Sequence, residues 1–199
     1  MKETKDKIIL KALQYFAEND YQSVSLNSIA EGIGITKGGI YHYFSSKDEL
    51  YLECMITVFE RVREFSLDAM SEDASLEEVL KYLFSFNNIF QVMAESLNID
   101  FLNNYFDYSY LMFVGIKKFP QITEMITAIY DEMQQGLELL LLDQQVEGVI
   151  KKDINCRILA FEIIAIIEGA MLVSAFSTGT DLAEVGRDLL ESTLERIRV

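Results

Sequence analysis

Within residues 36–47, TKGGIYHYFSSK, stand a threonine, two lysines, two tyrosines and the one histidine of the chain. Hydroxyl, imidazole and ammonium groups donate and accept hydrogen bonds or carry charge. Catalysis needs more than that. His42 has no nucleophile–base pair around it. The KGGI run lacks the spacing of a phosphate-cradling P-loop. A single histidine and two distant cysteines, Cys54 and Cys156, supply no metal-ligand spacing. No metal and no cofactor are expected, and carboxylate-only chemistry is the one enzymatic route left open. The chemistry on offer is binding.

These residues must be held by helices. Ile9, Ala12, Leu13, Phe16 and Ala17 recur at the helical period, which predicts an amphipathic helix over 5–18. Ser25 is placed to cap a second short helix that buries Leu26, Ile29, Ala30 and Ile33 and stops at Gly34. Thr36 caps a third, with Ile40 and Phe44 on one side and Gly38, Gly39, Tyr41 and His42 away from them. Ser46 and Glu49 are spaced as a capping box that opens a fourth, longer helix. A helix of about eight residues, a glycine turn and a second short helix make a helix-turn-helix pattern, whose second helix enters the major groove of DNA. Two adjacent glycines in that helix cost about 2 kcal/mol of helix stability relative to alanine, and they fall on its outward face.

The run SLNSIAEGIGITKGGIYHYFSSKDEL resembles the DNA-binding signature of the tetracycline-repressor (TetR) family of bacterial transcriptional regulators. Ser25, Ile29, Ala30, Gly34, Ile40, Tyr41, Phe44, Lys47 and Leu50 carry the resemblance, which covers about residues 5–52. The resemblance implies a homodimer that reads pseudo-palindromic double-stranded operator DNA and releases it on binding a small-molecule effector. Carried over position by position, it makes Ser25 a phosphate contact and brings Thr36 and Lys37 to base edges or phosphates. Tyr41 and Tyr43 would bond phosphates through their hydroxyls. His42 would touch a base or a phosphate, and Lys47 at the start of the fourth helix would hold another phosphate. Gly38 and Gly39 would let the backbone approach the groove closely. Such anchoring implies a steep fall of affinity with salt. Gly32, inside the second helix, departs from the pattern.

The rest of the chain reads as long helices: 47–70, one opened by Ser75 and Glu78 and running to about 96, 103–118, one from Pro120 to about 145, 155–176 and 181–198. The expected fold is all-α with about nine helices. Residues 1–46 are expected to form the DNA-binding domain and 47–199 the ligand-binding and dimerisation domain. Residues 1–50 balance six lysines against seven acids, so nearly all of the net charge of −15 lies beyond them. Ten aromatics within 82–113 exceed what a small core needs and suggest a cavity for an apolar or aromatic ligand. Phe59, Phe86, Phe90, Tyr105, Tyr110 and Tyr130 are the candidate lining. Residues 158–176 are long and apolar enough to span a bilayer, but Glu162 and Glu168 interrupt them, so a buried interface helix and a cytoplasmic location, with no membrane partner, are expected. Ile163, Ile166, Ile167, Ala170, Val173, Leu189, Thr193 and Ile197 are the candidate dimer interface. The competing reading is a helical protein–protein adaptor of the same fold that has lost DNA binding.

Overall fold

The computed structural model describes residues 2–69, 74–86, 105–177 and 179–199, with the backbone alone for Lys2, 65–69 and 105–107. Nine helices run through the described residues: α1 (Lys2–Glu18), α2 (Leu26–Ile33), α3 (Lys37–Tyr41), α4 (Lys47–Ala69), α5 (Leu76–Leu83), α6 (Tyr105–Lys118), α7 (Pro120–Val146), α8 (Cys156–Phe176) and α9 (Leu182–Ile197). An isolated antiparallel bridge between Ile150 and Arg198 is the one extended pairing among them. The all-α expectation holds.

The helix starts follow their caps. The Ser25 hydroxyl accepts from the Ser28 amide, Thr36 from the Gly39 amide, Asn155 from the Ile158 amide and Asp181 from the Ala183 and Glu184 amides. Ser75 and Glu78 form the anticipated reciprocal box. At Ser46 the box is only half made. Its hydroxyl accepts from the Glu49 amide, but the Glu49 carboxylate turns to the backbone and hydroxyl of Ser45. α2 ends at Gly34 in a left-handed conformation, φ 74°. One expected helix is shorter than its pattern. α5 stops at Leu83 rather than near 96, and just beyond it the Ser85 amide and hydroxyl both donate to the Tyr82 carbonyl. Residues 87–104 lie outside the described residues.

Two compact units result, and they do not divide the chain in sequence order at 46/47. The first comprises 1–62 with 91–126, the second 63–90 with 127–199. In the first, α1 buries Ile8, Ala12, Leu13 and Phe16 against Leu26, Ile29 and Ala30 of α2, Ile40 of α3, and Leu50, Tyr51, Met55 and Val58 of α4. Fully burying each of the larger of these side chains is worth about 1.5–3 kcal/mol, and this sets two short helices, α2 and α3, that could not persist alone. Tyr51, Phe16 and Tyr21 pack edge-on or stacked with centroids 5.0–5.6 Å apart, and Phe119 stacks on Tyr51 at 5.4 Å. The Tyr51 hydroxyl donates to the Leu111 carbonyl of α6.

The second unit closes around α8. Leu159, Ala160, Ile163, Ile164, Ile167 and Met171 are buried with Leu76, Val79 and Leu80 of α5, Leu137 and Leu141 of α7, and Leu194 and Ile197 of α9. α9 presses on the end of α5: a Cβ built on Gly186 would stand 2.0 Å from the Phe84 carbonyl oxygen. Arg198 pairs with Glu77 at 2.6 Å and Arg196 with Glu162 at 2.9 Å.

Candidate nucleic-acid interface

The candidate site is the outer face of α2 and α3 and the turn into α4. Ile40 and Phe44, 0% and 2% exposed, anchor α3 to the core. That anchoring turns the residues between them outward. Tyr41 is 46% exposed, with the Lys37 ammonium 5.8 Å from its ring centroid. His42 is exposed and meets the half-buried Tyr43 edge-on at 5.2 Å. Ser25, Thr36, Lys37 and Gly38 are exposed, and Gly39 is half-exposed. The site residues expected on α2 and α3 are therefore accessible, Gly39 and Tyr43 only in part.

The two glycines are not needed by the fold. Neither has a positive φ. A Cβ on Gly38 would have only the Thr36 hydroxyl within 4 Å, at 3.9 Å, and one on Gly39 would meet that hydroxyl at 3.4 Å. Alanine would fit at either place and strengthen the helix by about 1 kcal/mol. Gly32 is different. A Cβ there would fall 2.7 Å from the Tyr15 hydroxyl and 2.9 Å from Lys11 Cε. Both atoms are the ends of flexible side chains of α1, which could swing aside.

The ammonium of half-exposed Lys47 is held from within the chain. It donates to three carbonyls of the α1–α2 turn, those of Tyr21 at 2.7 Å, Gln22 at 3.3 Å and Val24 at 2.8 Å, and lies 4.5 Å from the centroid of the Tyr21 ring. An ammonium has three donors, and here all three have acceptors. Loss of water, then the nearby charge of Lys118, holds its pKa below the ordinary lysine range. Tyr21 completes the cluster. Its hydroxyl bonds the Asp48 carboxylate, and Lys118 stands 4.3 Å from its ring centroid on α6. Burial, reinforced by Asp48, pushes the Tyr21 phenol well above its usual range. A lysine after a turn pattern resembles an anion ligand in sequence. Only the fold brings the open carbonyls of residues 21–24 within its reach.

The candidate ligand residues do not assemble into one described site. Phe59 belongs to the first unit and Phe86 to the second, and both are core side chains. Tyr110, in the first unit, is exposed and donates to Asp20 at 3.3 Å. Tyr130, in the second, donates to Glu168 at 2.6 Å. Phe90 and the side chain of Tyr105 lie outside the described residues. The candidate dimer residues also divide. Ile163, Ile167, Thr193 and Ile197 are buried within their own unit and cannot face a partner; Ile166, Ala170 and Leu189 are half-buried, and Val173 is exposed. α8 leaves a different stripe exposed or half-exposed: Ile158, Phe161, Ala165, Gly169 and Leu172, spaced three and four residues apart. Its spacing is readable in the sequence, but so is that of the opposite, buried face. α8 is long and apolar enough to cross a membrane, yet seven of its residues are buried within the unit.

Residues 8–54 match the family described as bacterial regulatory proteins, tetR family. The chain is 31% identical over 82 residues to the biofilm operon icaADBC HTH-type negative transcriptional regulator IcaR of Staphylococcus epidermidis, a stretch covering 41% of this chain but only 44% of that protein. It is 26% identical over 151 residues to the regulator of the same name from Staphylococcus aureus strain Newman, covering 70% of this chain and 80% of the relative. The fold is shared end to end with a TetR transcriptional regulator from Chloroflexus aurantiacus, at a TM-score of 0.77, 22% identity, and coverage of 100% and 98% of the two chains. A transcriptional regulator from Saccharomonospora viridis, described as putative and solved with choline, superposes at 0.77 with 19% identity over the whole of both chains.

Proposed function

We propose that this chain, a TetR-family transcriptional regulator, is a homodimeric repressor that leaves its operator when a small apolar or aromatic molecule binds it. The observation that carries the DNA-binding part is the outward face of α3. It pairs two glycines that the fold does not require with an exposed tyrosine, histidine, threonine and lysine. A surface that forgoes helix stability in order to stay flat is suited to close approach by something outside the chain, and a groove floor or phosphate backbone fits it. Thr36, Lys37, His42 and the shape of the DNA would then set specificity.

Repression is the direction of the staphylococcal relatives, whose names make them negative regulators. Two recognition helices about 34–36 Å apart would read a pseudo-palindrome. The uncovered α8 stripe through Phe161 and Leu172 is the surface on which a second copy would pair. Residues 1–46 would read DNA and residues 47–199 would take the effector and dimerise. Effector release would be a population shift. Complete switching needs about 10⁴-fold preference of the effector for the state that does not bind DNA.

Selection of fragments from the source genome on the purified chain, followed by band-shift titration, tests the proposal. A discrete, partly palindromic fragment should be retained, and Tyr41→Ala should weaken it at least about tenfold, as loss of one or two phosphate hydrogen bonds implies. Retention of no fragment would favour the adaptor reading.

A further inference from the structure

We infer that His42, the one histidine of the chain, binds a DNA phosphate in its protonated form, so that each subunit takes up a proton as it seats on the operator and mild acid tightens binding; the inference rests on the DNA-binding reading above. His42 follows the last residue of α3 as its C-cap. α3 has five residues, which makes it about 7–8 Å long. A recognition helix reads base edges with its N-terminal residues, here Thr36 and Lys37. With that end on the floor of a groove about 12 Å wide, the other end of so short a helix stands at the groove wall. The wall is sugar and phosphate.

The imidazole is free to take that part. It is exposed, its neighbour is the edge of the Tyr43 ring at 5.2 Å, and no described carboxylate pairs with it. The charged groups on the surrounding elements are Lys37 of α3, over the Tyr41 ring, and Glu31 of α2, exposed. In the first turn of α4, Lys47 is held by the carbonyls of the α1–α2 turn. Asp48 accepts from the Tyr21 hydroxyl and faces Lys118 at 3.7 Å, and Glu49 accepts from Ser45. On the buried side of α3, Lys5 of α1 pairs with Glu53 of α4 and lies 5.8 Å from the centroid of the Phe44 ring. The anion that would hold an imidazolium here comes from outside the chain.

Histidine is the side chain whose charge ordinarily changes between about pH 5 and 8. The cysteines do not compete for that window, because burial pushes the thiols of Cys54 and Cys156 up. A phosphate within about 4–6 Å favours the charged form of an imidazole. The complex then holds more protons than its separated parts. Affinity therefore rises as pH falls, and levels off once the free imidazole is itself charged. Opposite unit charges in contact at a wet surface favour each other by roughly fivefold, or about 25-fold for the two subunits of a dimer. A neutral imidazole accepting from a base would give the opposite sign.

The test is fluorescence anisotropy of the full chain on its selected operator at pH 5.5, 6.5 and 7.5. The comparison is His42→Gln, which keeps a hydrogen-bonding side chain and loses the titration. Wild-type affinity should rise at least about tenfold from pH 7.5 to 5.5. The slope of log affinity against log salt should steepen by about 0.9 for each phosphate newly neutralised. His42→Gln should be flat in pH and keep the base preferences of the wild type, since a phosphate contact carries no sequence information. A wild-type affinity that is flat or falls on acidification overturns the inference. So does a rise that His42→Gln retains, or a changed base preference in that variant. Failure to bind any genomic fragment is a separate outcome, and it overturns the DNA-binding reading beneath.

Discussion

Gly38 and Gly39 show how a residue can be read only by asking what a side chain would meet. In sequence they weaken a helix. In the structure nothing crowds the missing Cβ of Gly38, so packing does not require it, whereas the proposed close approach to DNA does. Gly38→Ala should therefore raise the unfolding free energy by up to about 1 kcal/mol, read by denaturant melts, while operator affinity falls. Gly38→Leu should bind less well than Gly38→Ala. Equal or better binding by Gly38→Leu would refute close approach. Lys47 is the opposite case. Its type and position suggest an external partner, and its three acceptors prove internal. Both outcomes turn on what surrounds the residue rather than on what the residue is.

At the level of elements, the starts of helices are local events and the sequence carries them. Ser25, Thr36, Ser75, Asn155 and Asp181 each cap within three residues of themselves. Ends and faces are less local. α5 stops at Leu83 although its apolar pattern runs on. The seating of α9 depends on Gly186, an unremarked glycine within a helical pattern. With the Phe84 carbonyl oxygen 2.0 Å from any added Cβ and the Phe86 ring 3.1 Å from it, Gly186→Ala cannot be absorbed by rotating a side chain. It should destabilise by about 1–3 kcal/mol or more, despite the gain in helix propensity. A rise in melting temperature for this variant would mean that α5 and α9 are not in contact in solution.

At the scale of the molecule, the exposed stripe of α8 sets an expectation for assembly. Phe161 and Leu172 are 59% and 44% exposed on a helix that is otherwise among the most apolar in the chain. Such a stripe on a folded unit marks an interaction surface. Phe161→Asp should halve the mass read by light scattering to that of one 22.8 kDa chain, leave the melt cooperative, and abolish tight operator binding. Ile163→Asp, two residues away and fully buried, should unfold the chain instead. A Phe161→Asp protein that remains dimeric would place the interface elsewhere.

The helical class, the caps, the inner positions of the first three helices and the helix-turn-helix spacing were all legible in the sequence, because each is set by neighbours within about one helical turn. The outward placement of Tyr41 and His42 followed from Ile40 and Phe44 in the same way. Which face of α8 would be covered was beyond the sequence, since a helix that is apolar all round carries no phase. So was the fate of Lys47, because its acceptors lie 23–26 residues away. Gly186 gained its reason only from Phe84, brought near by packing. Local periodicity and short-range hydrogen bonding determine which elements form. Contacts between residues distant along the chain decide which of their faces, charges and glycines remain available for binding.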